Sequence, residues 1–242
     1  MPAMNVTLSS LRPRRFWPSL VLVAAVGLLA PLAHAGILEV TVLGANGQPV
    51  PDAVVQLRRA AGIQPLLRAD TAVIGQKDIR FDPFVTVVPV GGTVRFVNRD
   101  RFDHHVRSMP GGPLSTVPPV KDFEFRLGPA RAGNEPSADL KMDAPGHISI
   151  GCHLHGSMRG HILVTTSPWY AVTDANGKAV IDGPEGASEM RLWHPEQLIE
   201  QPAQPVTVSG GRASIQAKLN FTPPRRRPAR PQGGDPADPY RY

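Results

Sequence analysis

HISIGCHLHGSMRGHILVTT, residues 147–166, decides how this chain is read. Apolar residues alternate with polar ones or glycine up to Cys152 and resume from His161 to Val164, so one strand enters the segment and another leaves it. Between the strands stand Cys152, His153, His155 and Met158. Fully extended, the stretch from Cys152 to Met158 would span about 20 Å, and His153 and His155 would share a face opposite Cys152. The chain must therefore turn if sulfur and imidazole are to meet, and Gly156 is the residue expected to supply a positive φ there.

The same strand-like texture extends upstream. In FDPFVTVVPVGGTVRFVNRDRFDHHVRS, residues 81–108, strands are expected over 84–90 and 93–98, joined through Pro89, Gly91 and Gly92. The second strand runs into a charged loop that ends in His104-His105. Helical signals are scarce throughout, and 27 prolines and 23 glycines punctuate short apolar runs. The fold class expected is all-β, built as sandwiches of short antiparallel strands. The Pro- and Gly-rich stretch 110–140 carries no assigned role.

Two further blocks flank this middle one. ILEVTVLGANGQPVPDAVVQL, residues 37–57, gives strands over 37–43 and 53–57 around Asn46-Gly47. WYAVTDANGKAVI, residues 169–181, gives a hairpin turning at Asn176-Gly177, followed by EMRLWHP and a last strand, ASIQAKLNF. Two strands alone are not stable in water. Residues 36–62 and 167–221 are therefore expected to combine into one small β-sandwich, with the domain 69–166 inserted into it or joined to it.

The ends explain the charge. Arg12, Arg14 and Arg15 precede an apolar run over 16–32 and Ala33-His34-Ala35, which reads as a signal peptide over 1–35, cut before Gly36. Pro18 and Pro31 bracket a run shorter than the roughly 20 apolar residues a membrane span needs. The expected location is the periplasm, with no membrane span after cleavage. The formal charge is +6, but residues 1–35 hold three arginines and no acid, residues 223–242 hold five arginines and two aspartates, and the body between balances at 18 bases and 18 acids. That balance gives no basic face for nucleic acid. The tail 222–242, rich in Pro, Gly and Arg, is expected to be disordered.

Cys152 is the only cysteine. In an oxidising compartment an odd thiol points to intermolecular pairing, a reactive group or a ligand. A thiolate, two imidazoles and a weak axial thioether form the ligand set of a blue-copper electron-transfer site. Cys152, His155 and Met158 offer three of these, and His104 or His105, arriving from a different strand, offers the fourth. Zinc accepts Cys and His but gains nothing from a thioether. A nucleophilic Cys152–His pair would need an orienting group and an oxyanion pocket, neither of which the sequence marks, and seven histidines after residue 35 are too few for a multicopper oxidase. No enzyme is read here. His147, His161 and His194 read as structural or surface residues and Met109 as loop filler.

Residues 71–166 resemble the cupredoxin family, and their loop spacing is similar to the amicyanin- and plastocyanin-like members. The family pattern N-x5-H is met by Asn98 and His104, followed by His105-Val106, and C-x2-H-x2-M is met by Cys152, His155 and Met158. The arrangement is also similar to exported cupredoxin proteins labelled methylamine-utilisation proteins. The resemblance implies a Greek-key sandwich that binds one copper ion through His104, Cys152, His155 and Met158 and passes single electrons as Cu(I)/Cu(II). The partner implied is a redox protein such as a c-type cytochrome or a periplasmic dehydrogenase. It also implies that Asn98 ties the His104 loop to the Cys152 loop. A second reading is a copper-binding, sensing or delivery module without electron shuttling. The chain departs from the family in carrying His153, Leu154, Gly156 and Ser157 between the ligands, where prolines and a large apolar residue are usual. Arg99, Arg101, Arg107 and Arg159 flank the loops and point to an acidic partner. The flanking blocks resemble the carboxypeptidase-regulatory-like, transthyretin-type sandwich through Gly47, Pro49, Ala53, Val55, Thr173, Asp174 and Gly177. The later part of that pattern is degraded to PEGASEM.

Overall fold

In β1 (Ala35–Leu43) every second residue from Gly36 on is buried, the period-2 signature of a strand with one face on a core. The protein is described by a computed structural model covering residues 35–62 and 64–224. The signal-peptide expectation below residue 35 and the tail expectation beyond residue 224 lie outside the described residues. After β1 comes β2 (Val54–Arg59). The middle of the chain then supplies β3 (Thr71–Gln76), β4 (Phe81–Asp82), β5 (Val85–Pro89), β6 (Thr93–Asn98), β7 (His104–Met109), β8 (Glu124–Leu127), β9 (Ser137–Lys141), β10 (Gly146–Cys152) and β11 (Arg159–Thr165). The last third supplies β12 (Trp169–Val172), β13 (Lys178–Pro184), β14 (Gly186–Trp193), β15 (Gln204–Val208) and β16 (Arg212–Lys218). The described residues are all-β and contain no helix, as composition led us to expect; accordingly, none of them forms a helix long and apolar enough to cross a membrane.

These strands form four sheets in two pairs. β13–β1–β16 and β12–β2–β14–β15 share one core, in which Leu38, Val40 and Val42 meet Val55, Leu57, Ile181 and Met190. β5–β11–β10–β7–β8 and β4–β3–β6–β9 share another, around Ile74, Val94, Phe96, Ile148, Ile150 and Ile162. Burying each such side chain is worth about 1.5–3 kcal/mol, so each pair of sheets has an apolar reason to close. The first pair draws on both ends of the described chain and the second on its middle. The stretch 110–140, to which sequence reading gave no role, contributes two strands: β8 pairs with β7 at one edge, and β9 pairs with β6.

The paired turn motifs of the flanking blocks have a physical basis. The buried Thr173 hydroxyl accepts the Ala53 N–H at 2.9 Å and donates to the Val50 carbonyl at 2.7 Å, stitching the two blocks together. Asp174 Oδ1 accepts the N–H groups of Asn176 and Lys178. At Gly177 φ is +71°, and a Cβ there would stand 2.6 Å from the Val42 carbonyl oxygen, so the position has no room for a side chain.

A smaller apolar cluster of Val54, Val85 and Leu163, with Phe84, Val172 and Trp193 around it, joins the two pairs of sheets. Next to it His147 Nε2 lies 3.1 Å from His161 Nδ1, Ser149 Oγ lies 3.2 Å from His161 Nδ1, and the Trp193 ring is 4.9 Å from the His147 ring. Burial lowers the His147 pKa from 6.5 to about 4. The unfolded chain therefore takes up a proton below pH 6.5 that the folded chain refuses until about pH 4. Stability is expected to be full above pH 6.5, to fall by about 2–4 kcal/mol as pH drops towards 4, and to owe nothing further to this residue below that. Urea midpoints at pH 7.5, 5.5 and 4.5 should show the slope, and His147→Gln should flatten it. An unchanged slope in the variant would assign it to other groups.

Candidate metal centre

Strand alternation aims the central residues. In β7, His104 and Val106 point into the core while His105 and Arg107 point out; in β10, Ile148, Ile150 and Cys152 point in. Cys152 lies directly across from Val106 in the antiparallel β7–β10 pair, which brings its sulfur beside His104. The chain then turns tightly: the Met158 N–H donates to the His155 carbonyl at 2.9 Å, and the Cys152 N–H to the Met158 carbonyl at 3.3 Å. This turn returns His155 to the site. It does so without the positive φ expected at Gly156: that glycine stays outside the left-handed region and has open space where a Cβ would stand. A bond from residue i+3 to residue i, as at His155–Met158, closes with right-handed dihedrals that any residue adopts.

The result is a converged donor set. Cys152 Sγ is 3.7 Å from His104 Nδ1 and 3.4 Å from His155 Nδ1, and the three donor atoms lie within 4.8 Å of one another. Among the described residues this is the one group of three or more His, Cys, Asp or Glu side chains so placed. Such separations are those of ligands sharing one ion through bonds of about 2.3 Å to sulfur and 2.0 Å to nitrogen, so the residues fit a soft or borderline metal. Met158 is 1 % exposed and packs in the same core cluster as Cys152, which is 2 % exposed. His153 points outward and is exposed, leaving His155 as the loop histidine turned towards sulfur. Phe102, 37 % exposed, sets its ring 5.3 Å from both the His104 and His155 rings.

Electrostatics favour a cation here. Burial pushes the Cys152 thiol up, but bonds from His104, the His105 N–H, His155 and the Leu154 N–H outweigh it and bring the pKa down to about 6. Burial alone would likewise push the His104 imidazole down, yet its bonds to Cys152 and Asp100 hold its pKa above the ordinary value.

Asp100 is the residue that sequence reading missed. Its carboxylate is 3 % exposed and accepts the His104 Nε2–H at 2.9 Å. That bond fixes the tautomer with the proton on Nε2 and leaves Nδ1 free to face Cys152. The same carboxylate accepts the N–H groups of Asp78 at 2.8 Å and Ile79 at 3.2 Å. Those two residues form the turn between β3 and β4 with φ of 53° and 58°, which is costly for a β-branched residue. The two backbone donors held by Asp100 help to offset that cost. The available signal was an aspartate four residues before His104, hidden between Arg99 and Arg101.

Asn98 requires a correction. Its Nδ2 donates to the carbonyls of Phe102 and Gly128, at 2.8 and 2.7 Å, and its Oδ1 accepts the Asp100 N–H at 2.8 Å. It therefore ties the His104 loop to the segment following β8 rather than to the Cys152 loop. The link to Cys152 is made by the His105 backbone N–H, which donates to Sγ at 3.4 Å. Asn98 closes β6, and its amide nitrogen is already engaged by the Phe102 and Gly128 carbonyls.

No protein-family model matches the chain, and no curated protein does. Solved structures similar to it include a copper-containing nitrite reductase from Thermus scotoductus, at 24 % identity over 51 % of this chain with a TM-score of 0.33; the chain spans only 28 % of that protein's length. A purple cupredoxin from Nitrosopumilus maritimus is 18 % identical over 40 % of this chain and 99 % of its own, with a TM-score of 0.31. A Cu(I) amicyanin variant is 19 % identical over 47 % of this chain and 99 % of its own, also with a TM-score of 0.31.

Proposed function

We propose that this chain is a periplasmic single-electron carrier with one blue-copper site held by His104, Cys152, His155 and Met158. The observation that carries the reading is the convergence of a buried low-pKa thiol on two imidazole Nδ1 atoms at 3.4 and 3.7 Å. Copper bound there supplies a one-electron couple between Cu(I) and Cu(II). The protein's part is to hold the donors in place so that little moves when the charge changes. Cys152 and His104 sit on paired strands, Asp100 locks the His104 ring, and two backbone bonds lock the loop carrying His155 and Met158. Met158, buried in the same core cluster as Cys152, would offer its thioether as the fourth donor.

The test is a visible absorption and EPR spectrum of the Cu(II) protein beside a Cys152→Ser variant. An intense blue thiolate-to-copper band with a narrow copper hyperfine pattern, both lost in the variant, is the expected result. A colourless Cu(II) protein, or a copper signal indifferent to Cys152, would remove the reading.

The docking face is proposed on the same footing. Arg99, Arg101, Arg131 and Glu135 line an open depression, next to the segment holding Asp100 and the exposed edge of Phe102. In it Arg99 Nε lies 3.5 Å from Glu135 Oε2, and the three arginines outnumber the one carboxylate. This charge suits an acidic face on a redox partner such as a c-type cytochrome. Reversing Arg99 and Arg101 to glutamate is expected to slow electron exchange with such a cytochrome at low salt and to flatten its salt dependence. Rates unmoved by the reversal and by salt would discard this face.

A further inference from the structure

We propose that Phe102 is a positioning residue of the metal centre: its ring holds the His155 imidazole towards the other donors and covers the side on which an ion enters and leaves.

Three aromatic rings meet at the site. The Phe102 ring centroid lies 5.3 Å from that of His104 and 5.3 Å from that of His155, and the two imidazoles are 5.0 Å apart. The angles between their planes are 64°, 55° and 59°. All three contacts are edge-on or tilted, at separations aromatic pairs prefer. His104 opens β7 and His155 stands in the turn after β10, so Phe102 bridges two segments that are far apart in sequence.

The two imidazoles do not depend on that bridge equally. His104 is fully buried, and Asp100 holds its Nε2 at 2.9 Å. His155 has no such second anchor among the described residues: its side chain meets Cys152 Sγ at 3.4 Å and the rings of Phe102 and His104. Phe102 is itself pinned, since its carbonyl accepts the Asn98 Nδ2–H at 2.8 Å. Along this loop Asn98 sets Phe102 as Asp100 sets His104.

The same ring controls access. His104, Cys152 and Met158 are buried, whereas His155 and Phe102 reach the surface. An ion therefore enters or leaves on the His155 side, past Phe102. The inference rests on His104, Cys152 and His155 serving one ion, and not on that ion being copper.

The test uses Phe102→Leu and Phe102→Tyr in the full chain. Relaxation of the histidine ring nitrogens in the metal-free proteins is expected to show a mobile His155 ring in the leucine variant and a His104 ring as rigid as before. The signals of His147, at the other end of β10 from Cys152, report that the fold is kept. Bound Zn(II), chased with a chelator, should leave the leucine variant about 3- to 10-fold faster. Tyrosine keeps the ring and should restore both readings. A His155 ring equally rigid in the leucine variant would overturn the proposal, and so would Zn(II) release at an unchanged rate or a tyrosine variant that behaves like leucine. Because relaxation is read without metal, a colourless Cu(II) protein would remove the copper reading and leave this test intact.

Discussion

Asp100→Asn is expected to weaken copper binding by roughly 10- to 100-fold although no metal-binding side chain has been altered. The carboxylate takes three N–H donors, from Asp78, Ile79 and His104. Asparagine offers one acceptor oxygen and, in place of the other, an amide that itself donates, so at least one of the three loses its acceptor in a buried place. That loss costs about 1–3 kcal/mol of stability. If the donor released is His104 Nε2–H, the ring is free to place its proton on Nδ1 and turn the wrong nitrogen to the metal. The substitution also removes a buried negative charge that favours the more positive copper ion, so the reduction potential should rise. Copper affinity, the potential and the His104 ring spectrum of the metal-free protein together check this. Affinity within about twofold and an unchanged ring spectrum would show that packing against Phe102 alone orients the imidazole, contrary to the outer-partner effect.

The second large effect lies in the core beneath the site. Phe96 is fully buried on β6, with its ring centroid 5.2 Å from that of Phe125 and 5.8 Å from that of Phe123. Both partners come from the stretch around β8, so this ring anchors the edge of one sheet to the centre of the other. Phe96→Ala should cost about 3–5 kcal/mol, from lost burial plus a cavity the surrounding strands cannot close. The check is the urea midpoint, which should fall with an unchanged slope. A loss under about 1 kcal/mol would mean that the site collapses onto the gap far better than a close-packed core does.

What was legible in the sequence followed local rules. β6 was expected over 93–98 and lies at Thr93–Asn98, because alternation along TVRFVN and the Gly91-Gly92 break mark both ends. Cys152 and His155 could be named from spacing, whereas His104 was separated from His105 only by the resemblance of its N-x5-H pattern; the structure brings the donor atoms of His104, Cys152 and His155 together. β8 could not be read, because EFRL is short, half charged and flanked by Pro and Gly, and its pairing is set by β7 rather than by its own pattern. Asp100 was hidden for a similar reason. A carboxylate between two arginines looks like solvent-exposed surface until a turn from β3 to β4 and a buried histidine are folded over it. The bonds of Asn98 likewise depend on where Gly128 arrives, which no local pattern encodes.

β1 and β16 run parallel, side by side, over seven residue pairs from Ile37–Arg212 to Leu43–Lys218. Tension applied between residue 35 and residue 224 enters β1 at its first residue and leaves β16 at its last, so it pulls the two strands lengthwise past each other. Their hydrogen bonds are then loaded together, in shear, and cannot be unzipped one at a time. The force path runs straight across that seam and bypasses β3 to β11, so the donors of the metal centre stay mechanically unloaded until the seam itself has failed.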